Sequence, residues 1–158
     1  MPSKPGNVKS PRLVVWATKD PNGANLQKIQ IIKGWAEAGQ THELTYDVVC
    51  SDGIKPNPQT HRCADNRAQV NLSDCSISTD RGTTELSVTW VDPDFKANDR
   101  AFYYARIIEN PTCRWSTYDA IRLKIAPPDD APAVVQQRAW SSPIWYTPNT
   151  TTASARKP

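Results

Sequence analysis

Apolar and polar positions alternate along most of this chain in short runs separated by turn residues. That is the pattern of β-strands rather than helices. Residues 12–18, RLVVWAT, form the first run, β-branched and aromatic. Asp20-Pro21-Asn22-Gly23 reads as a turn, because proline presets φ and glycine accepts positive φ. From Leu26 to Ala38 a second run sets Ile29, Ile31 and Trp35 on one face and Lys28, Gln30 and Ile32 on the other. A helix over GWAEAG is the alternative, although Gly34 and Gly39 bracket it closely. Residues 41–50, THELTYDVVC, alternate Leu44, Tyr46 and Val48 against Glu43, Thr45 and Asp47. The two runs therefore predict a hairpin about Ala38-Gly39-Gln40.

A polar loop over 51–66, a short strand over 69–72 and a further loop over 73–83 come next. Thr84 to Val91 alternates most cleanly, with Leu86, Val88 and Trp90 inward and Glu85, Ser87 and Thr89 outward. Asp92-Pro93-Asp94 stops it. The stretch RAFYYARIIENPTCRW, from Arg100, places Ala101, Tyr103, Ala105 and Ile107 on one face and Phe102, Tyr104, Arg106 and Ile108 on the other. Both faces are rich in apolar or aromatic residues, so it reads as a central strand covered on two sides. Asn110-Pro111 should end its ladder, since proline has no N–H to donate. Trp90 should pack across from Phe102 or Tyr103. Residues 116–123 read as one or two helical turns capped by Ser116 or Thr117, with Asp119 suited to the positive end of the dipole; a short strand is the alternative. Residues 134–146 hold a last strand or two, with Pro143 at a bulge or edge. The whole is mainly β: an antiparallel β-sandwich of about seven or eight strands with one short helix. Residues 1–11 read as a disordered lead-in, 12–148 as a single domain and 149–158 as a disordered tail.

Composition sharpens this reading. Fourteen prolines against six glycines suit many short elements with stiff connections, and six Trp with five Tyr outnumber two Phe. Such aromatics could build a sugar platform, but in a β-sandwich they are expected first in the core. The net charge of +3 is small. No basic run is present, so neither nucleic acid nor an anionic membrane is an expected partner. No apolar stretch reaches the length of a membrane span. MPSKPGNVKSPR lacks the apolar region of a secretory signal, which points to a cytosolic protein or to a piece of a longer chain.

The cysteines, Cys50, Cys63, Cys75 and Cys113, contain no C-x-x-C pair, which argues against zinc. Two disulfides or four buried thiols remain. Cys50 and Cys63 flank a loop rich in Pro, Asp and Asn that a bridge would close, and three pairings of four cysteines are open. His42 and His61 are isolated and read as surface residues. Asp92, Asp94, Asp99 and Glu109 cluster about one turn; such carboxylates can do acid–base work or hold calcium, but a turn in which Asp bonds its own backbone is preferred. Ser141-Ser142-Pro143 has no G-x-S-x-G context or histidine base, so its hydroxyls are assigned to the backbone. No metal, cofactor or free-standing enzymatic activity is expected. Trp35, Trp115, Trp140 and Trp145 remain as candidate interface or binding aromatics.

IQIIKGW at 29–35 with YDVVCSDG at 46–53, DPDFKANDRAFYYARIIENPTCRWSTYDA at 92–120 and QQRAWSSPIWYTP at 136–148 together carry a resemblance. The chain resembles, over about residues 12–148, the C-terminal end of the bacterial domain-of-unknown-function family 3604. The resemblance implies a larger parent whose N-terminal part is similar to metal-dependent phosphoesterases of the polymerase-and-histidinol-phosphatase superfamily. Its metal ligands match no position here. The implied role is a non-catalytic C-terminal accessory sandwich, present here as a fragment, that packs against or shapes that catalytic domain. An independent carbohydrate- or protein-binding module is the alternative. The exported character of such proteins further implies a periplasmic or extracellular location if the cysteines are bridged, with Cys50–Cys63 and Cys75–Cys113 as the expected pairs.

Overall fold

The computed structural model describes residues 9–148. In order, its elements are β1 (Arg12–Thr18), β2 (Leu26–Glu37), β3 (Gln40–Cys50), β4 (Glu85–Val91), β5 (Arg100–Cys113), α1 (Trp115–Leu123), β6 (Val134–Trp140) and β7 (Ile144–Tyr146). Two antiparallel sheets result. The larger runs β3–β2–β5–β6, with β7 also paired to β5, and the smaller is β1–β4. The expected tail at 149–158 and most of the expected lead-in lie outside the described residues. The end of the lead-in is tied down: Ser10 Oγ donates to the Asp92 carbonyl at 2.7 Å, and the Asp92 N–H reaches the Pro11 carbonyl.

The sheets pack face to face, as the alternation requires. Ile31, Ala101, Tyr103 and Ala105 of the larger sheet meet Leu13, Val15 and Trp90 of the smaller. Leu26, Ile29 and Leu86 form a second cluster beside them. Each fully buried aliphatic side chain of this kind contributes roughly 1.5–3 kcal/mol. Trp90 meets Tyr103 edge-on, with ring centroids 6.5 Å apart. The β2–β3 hairpin turns through Ala38 and Gly39 at φ 51° and 79°. Positive φ at both central residues is what a type I′ turn needs. GWAEAG therefore continues the strand rather than forming a helix.

Four local expectations are corrected. First, β5 does not stop at Asn110-Pro111. It runs to Cys113, and the pairing with β6 shifts between Ile108 and Pro111. The irregularity removes the need for a proline N–H in the ladder. Second, β5 is covered by strands on one side alone. Ala101, Tyr103 and Ala105 are buried beneath β1 and β4, whereas Phe102, Tyr104 and Arg106 are half-buried on a face that no described strand or helix covers. Third, residues 69–72 form no strand, only a single bridge from Val70 to Ile77. Fourth, Ser116 and Thr117 do not cap α1. Arg114 occupies the cap position without a side-chain bond, and the first turn holds no acid. Both hydroxyl residues are buried in that turn, and Thr117 Oγ1 donates to the Ala133 carbonyl at 2.8 Å.

The long connection between β3 and β4 has almost no regular structure, and polar groups organise it instead. Asn66 Nδ2 donates to Asn110 Oδ1 at 2.8 Å and to Asp52 Oδ2 at 3.0 Å, and Gln27 Nε2 donates to Asn66 Oδ1. Asn66 and Asn110 are both buried. Two disulfides, Cys50–Cys63 and Cys75–Cys113, fasten the same connection to β3 and β5, with Cα separations of 5.9 and 5.6 Å. In the loop-entropy model they contribute about 3 and about 4 kcal/mol. They are the pairs expected.

Gly34 sits mid-strand in β2 opposite Phe102 of β5. A Cβ at position 34 would enter the Phe102 ring, so the glycine is there for a close approach rather than for a turn. Gly34→Ala should lower the thermal midpoint, by about 1–3 kcal/mol of stability as overpacking generally costs. Adding Phe102→Ala should cancel much of that loss in a double-mutant cycle. Strictly additive effects would show that the ring is not what the glycine accommodates.

Candidate functional site

The inner face of β2 carries Ile29, Ile31, Lys33 and Trp35, so the alternation delivers a lysine into the space between the sheets. Lys33 is buried there, 4% exposed. Its Nζ lies 2.6 Å from Asp92 Oδ2 and donates to the Asp94 carbonyl at 2.7 Å. Asp92 follows β4 directly, and its carboxylate is fully buried. Tyr103 donates its hydroxyl to Asp92 Oδ2 at 2.7 Å, and the Asp94 N–H donates to Asp92 Oδ1 at 2.9 Å. Tyr46 donates to Asp94 Oδ2 at 2.7 Å. The Pro-Asp turn thus has the expected Asp-to-backbone bond, together with an ion pair that joins the two sheets. Burial and hydrogen bonding to Asp92 push the Tyr103 phenol well above its ordinary range, and burial with the Asp94 bond does the same for Tyr46. Both remain donors at any physiological pH.

A cleft of about 360 Å³ opens onto this cluster, lined by Lys33, Tyr46, Asp94, Asp99, Tyr103 and Trp35 among others. Lys96 pairs with Glu37 at its rim. Glu109 is not part of this group, although its place in the sequence suggested so. It lies beside the Asp20–Gly23 turn, where burial, with Asp20 nearby, raises its carboxyl above the ordinary range.

The outer face of the larger sheet carries cross-strand rows. One row is Asp47, Gln30, Arg106 and Trp140 on neighbouring strands β3, β2, β5 and β6. Gln30 Nε2 donates to Asp47 and its Oε1 accepts from Arg106 Nε at 2.7 Å. Another row is Glu43, Gly34, Phe102 and Trp145. The Phe102 ring stacks on Tyr104 with centroids 6.4 Å apart and tilts against Trp145 at 5.2 Å. Beside it, a second cleft of about 500 Å³ is bounded by Trp35, His42, Glu43, Arg100, Phe102 and Trp145 among others.

The four candidate aromatics do not form one site. Trp140 and Trp145 share the outer face, 58% and 72% exposed. Trp35 lies on the inner face, stacked on His42 at 5.1 Å. Trp115 is exposed at the start of α1, beyond the disulfide-bonded end of β5. The expectation that tryptophan fills the core fails for Trp16 as well, which is exposed on β1. The two histidines stay apart, His42 against Trp35 and His61 against Tyr46. The Ser141 hydroxyl accepts from the Ala105 N–H at 3.0 Å, the backbone role expected of it. Among the described residues, no group of three or more His, Cys, Asp or Glu is placed to hold a metal ion. Lys33, Tyr46 and Tyr103 were missed as site residues. The signal was a lysine on the face that also bears Ile29, Ile31 and Trp35.

Residues 2–148 match the model of a family described as "Protein of unknown function (DUF3604)". The chain belongs to this family. The matched stretch of this DUF3604 chain contains both sheets, the helix and both disulfides. No curated protein and no solved structure matches it.

Two tests follow from the DUF3604 site geometry. Against freshly folded parent chain, in which the pair is ionic, Lys33→Met leaves the Asp92 carboxylate buried without its cation and should cost about 3–5 kcal/mol, whereas Lys33→Met with Asp92→Leu should regain most of it. Denaturant midpoints decide this, and equal losses in both variants would count against the pair. Asp47 offers a pH test. Burial raises its pKa, but the Cys63 N–H, Gln30 and Lys28 outweigh burial and hold it below the ordinary carboxylate range. A folded-state pKa below the unfolded one contributes stability that is present above the unfolded value and lost as pH falls through the folded one. The stability of Asp47→Asn should therefore decline less than that of the parent chain on acidification below about pH 4. Parallel curves would refute the assignment.

Proposed function

We propose that this chain is a non-catalytic accessory β-sandwich of a larger metal-dependent phosphoesterase-like protein, and that it docks the outer face of its larger sheet against the neighbouring catalytic domain. The observation that carries this reading is the face itself. Phe102, Tyr104, Trp140 and Trp145 lie on one side of a sheet that no described element covers. Aromatic side chains left uncovered on one face in this way mark an interaction site. The polar groups of the inter-sheet cleft support the same reading, because they are engaged with one another. Tyr46 is bonded to Asp94, while Lys33 and Tyr103 are bonded to Asp92.

A second reading is a carbohydrate-binding module. It is favoured by the 500 Å³ cleft, where Phe102 and Trp145 lie beside Thr41, His42, Glu43 and Arg100. Aromatic surface flanked by hydrogen-bonding groups suits a sugar ring.

Acrylamide quenching separates the two. In variants keeping Trp140 and Trp145 as the emitting residues, quenching should be several-fold weaker in the parent protein than in this chain alone. Equal quenching would overturn docking through this face. A fluorescence change on titrating the isolated chain with soluble oligosaccharides, lost in Trp145→Ala, would establish the second reading in its place.

A further inference from the structure

We propose that Lys33 and Asp92 condense with each other, forming an intramolecular amide that joins the two sheets covalently. Four observations carry it. The partners are in contact, Nζ to Oδ2 at 2.6 Å, and the side chains are 5% and 0% exposed. In water, hydration of the ammonium and the carboxylate opposes amide formation; burial removes that hydration from both. The carboxyl is also polarised from both oxygens, by the Asp94 N–H on Oδ1 at 2.9 Å and by the Tyr103 hydroxyl on Oδ2 at 2.7 Å. Donors fixed in advance on an acyl group are what stabilise charge developing on its oxygen during attack. The Asp94 carbonyl holds Nζ from the other side at 2.7 Å. The reactants are thereby confined as an intramolecular pair, for which effective concentrations far exceed those in solution. Finally, the cleft lined by Lys33, Tyr103 and Asp94 opens to solvent, giving the expelled water a route out.

The step balances without any co-reactant. One proton passes from the Lys33 ammonium to the Asp92 carboxylate, leaving a neutral amine and a carboxylic acid. The Nζ lone pair attacks Cγ. Oδ1 takes the developing charge against the Asp94 N–H. Tyr103 hands its proton to the departing Oδ2 and regains one from the nitrogen. The Cγ–Oδ2 bond breaks, the Cγ–Nζ bond forms, and one water leaves. Nothing is oxidised or reduced.

The outer face supplies an internal comparison. Lys28 Nζ approaches Asp47 Oδ2 at 3.0 Å, but Lys28 is part-exposed. Asp47 also accepts from the Cys63 N–H and from Gln30, with Arg62 nearby, but no hydroxyl donates to it as Tyr103 does to Asp92, so nothing there can protonate a departing oxygen. No amide is expected there.

Mass spectrometry of the purified chain tests the proposal. After full reduction and denaturation, the chain should be lighter than its sequence by one water. Trypsin should fail to cut after Lys33, and tandem spectra should show one branched peptide joining the Lys33 and Asp92 segments. An aspartimide at Asp92 loses the same mass but is closed off, because Pro93 has no N–H to cyclise. Tyr103→Phe keeps the ring and should slow the appearance of the light species after refolding. A chain of full calculated mass, with Lys33 cleaved and Asp92 in a separate linear peptide, overturns the proposal. So does a branch at Lys28–Asp47 in its place. Both readouts are made on the unsubstituted protein, so neither depends on whether a Lys33 variant folds.

Discussion

The structure turns on one contact, the Lys33–Asp92 pair buried between the sheets. The smaller sheet has only two strands, and a two-stranded sheet is marginal by itself. It must be held against its partner, and Leu13, Val15, Leu86 and Trp90 do most of that through burial. Hydrophobic contact is non-directional, however, and permits sliding. The ion pair does not. Taking both charges out of water is costly, and the cost is met only where Tyr103, the Asp94 N–H and the Asp94 carbonyl all reach their partners. While the pair is still ionic, any slip of β4 against β2 would leave a buried charge unsatisfied. The pair therefore sets the registry of the two layers.

At the far end of the sandwich the same problem is solved with different chemistry. The connection over residues 51–84 is too polar to be held by a core of its own. Asn66 and Asn110 bridge it to β5, Asp52 accepts from the Gly82 N–H, and two disulfides pin its interior at Cys63 and Cys75. Asp47 joins in by accepting from the Cys63 N–H, so β3, the loop and the first disulfide are ordered together. One end of the molecule thus rests on an ion pair within an aromatic setting, and the other on amide pairs and sulfur.

Much of this was legible in the residues. Composition located β1; period-two alternation located β2 to β5 and placed Leu86, Val88 and Trp90 inward, because a strand's faces are set by parity alone. What parity does not show is how many layers cover a face. Phe102 and Tyr104 are as apolar as Ala101 and Tyr103, yet no described element lies over them. Proline misled at Pro111 for a related reason: its missing N–H forbids a regular ladder but not a bulge, and bulges depend on the partner strand. Lys33 was overlooked as a site residue because a charge on an apolar face acquires meaning only through a partner distant in the chain. Ser116 and Thr117 have the residue types of a cap, but tertiary contact with Ala133 took the hydroxyl of Thr117 first.

β6 and β7 together form one edge of the larger sheet, broken at Ser141-Ser142-Pro143. An edge bearing Trp140, Ile144 and Trp145 would, if continuous, offer another chain a long template for strand pairing. The break leaves two short segments, and Ser141 turns its own backbone N–H back to the Ala105 carbonyl. Pro143 brings no N–H to the edge at all. Exposed aromatic side chains can thus remain available for recognition while the backbone beside them is a poor nucleus for aggregation.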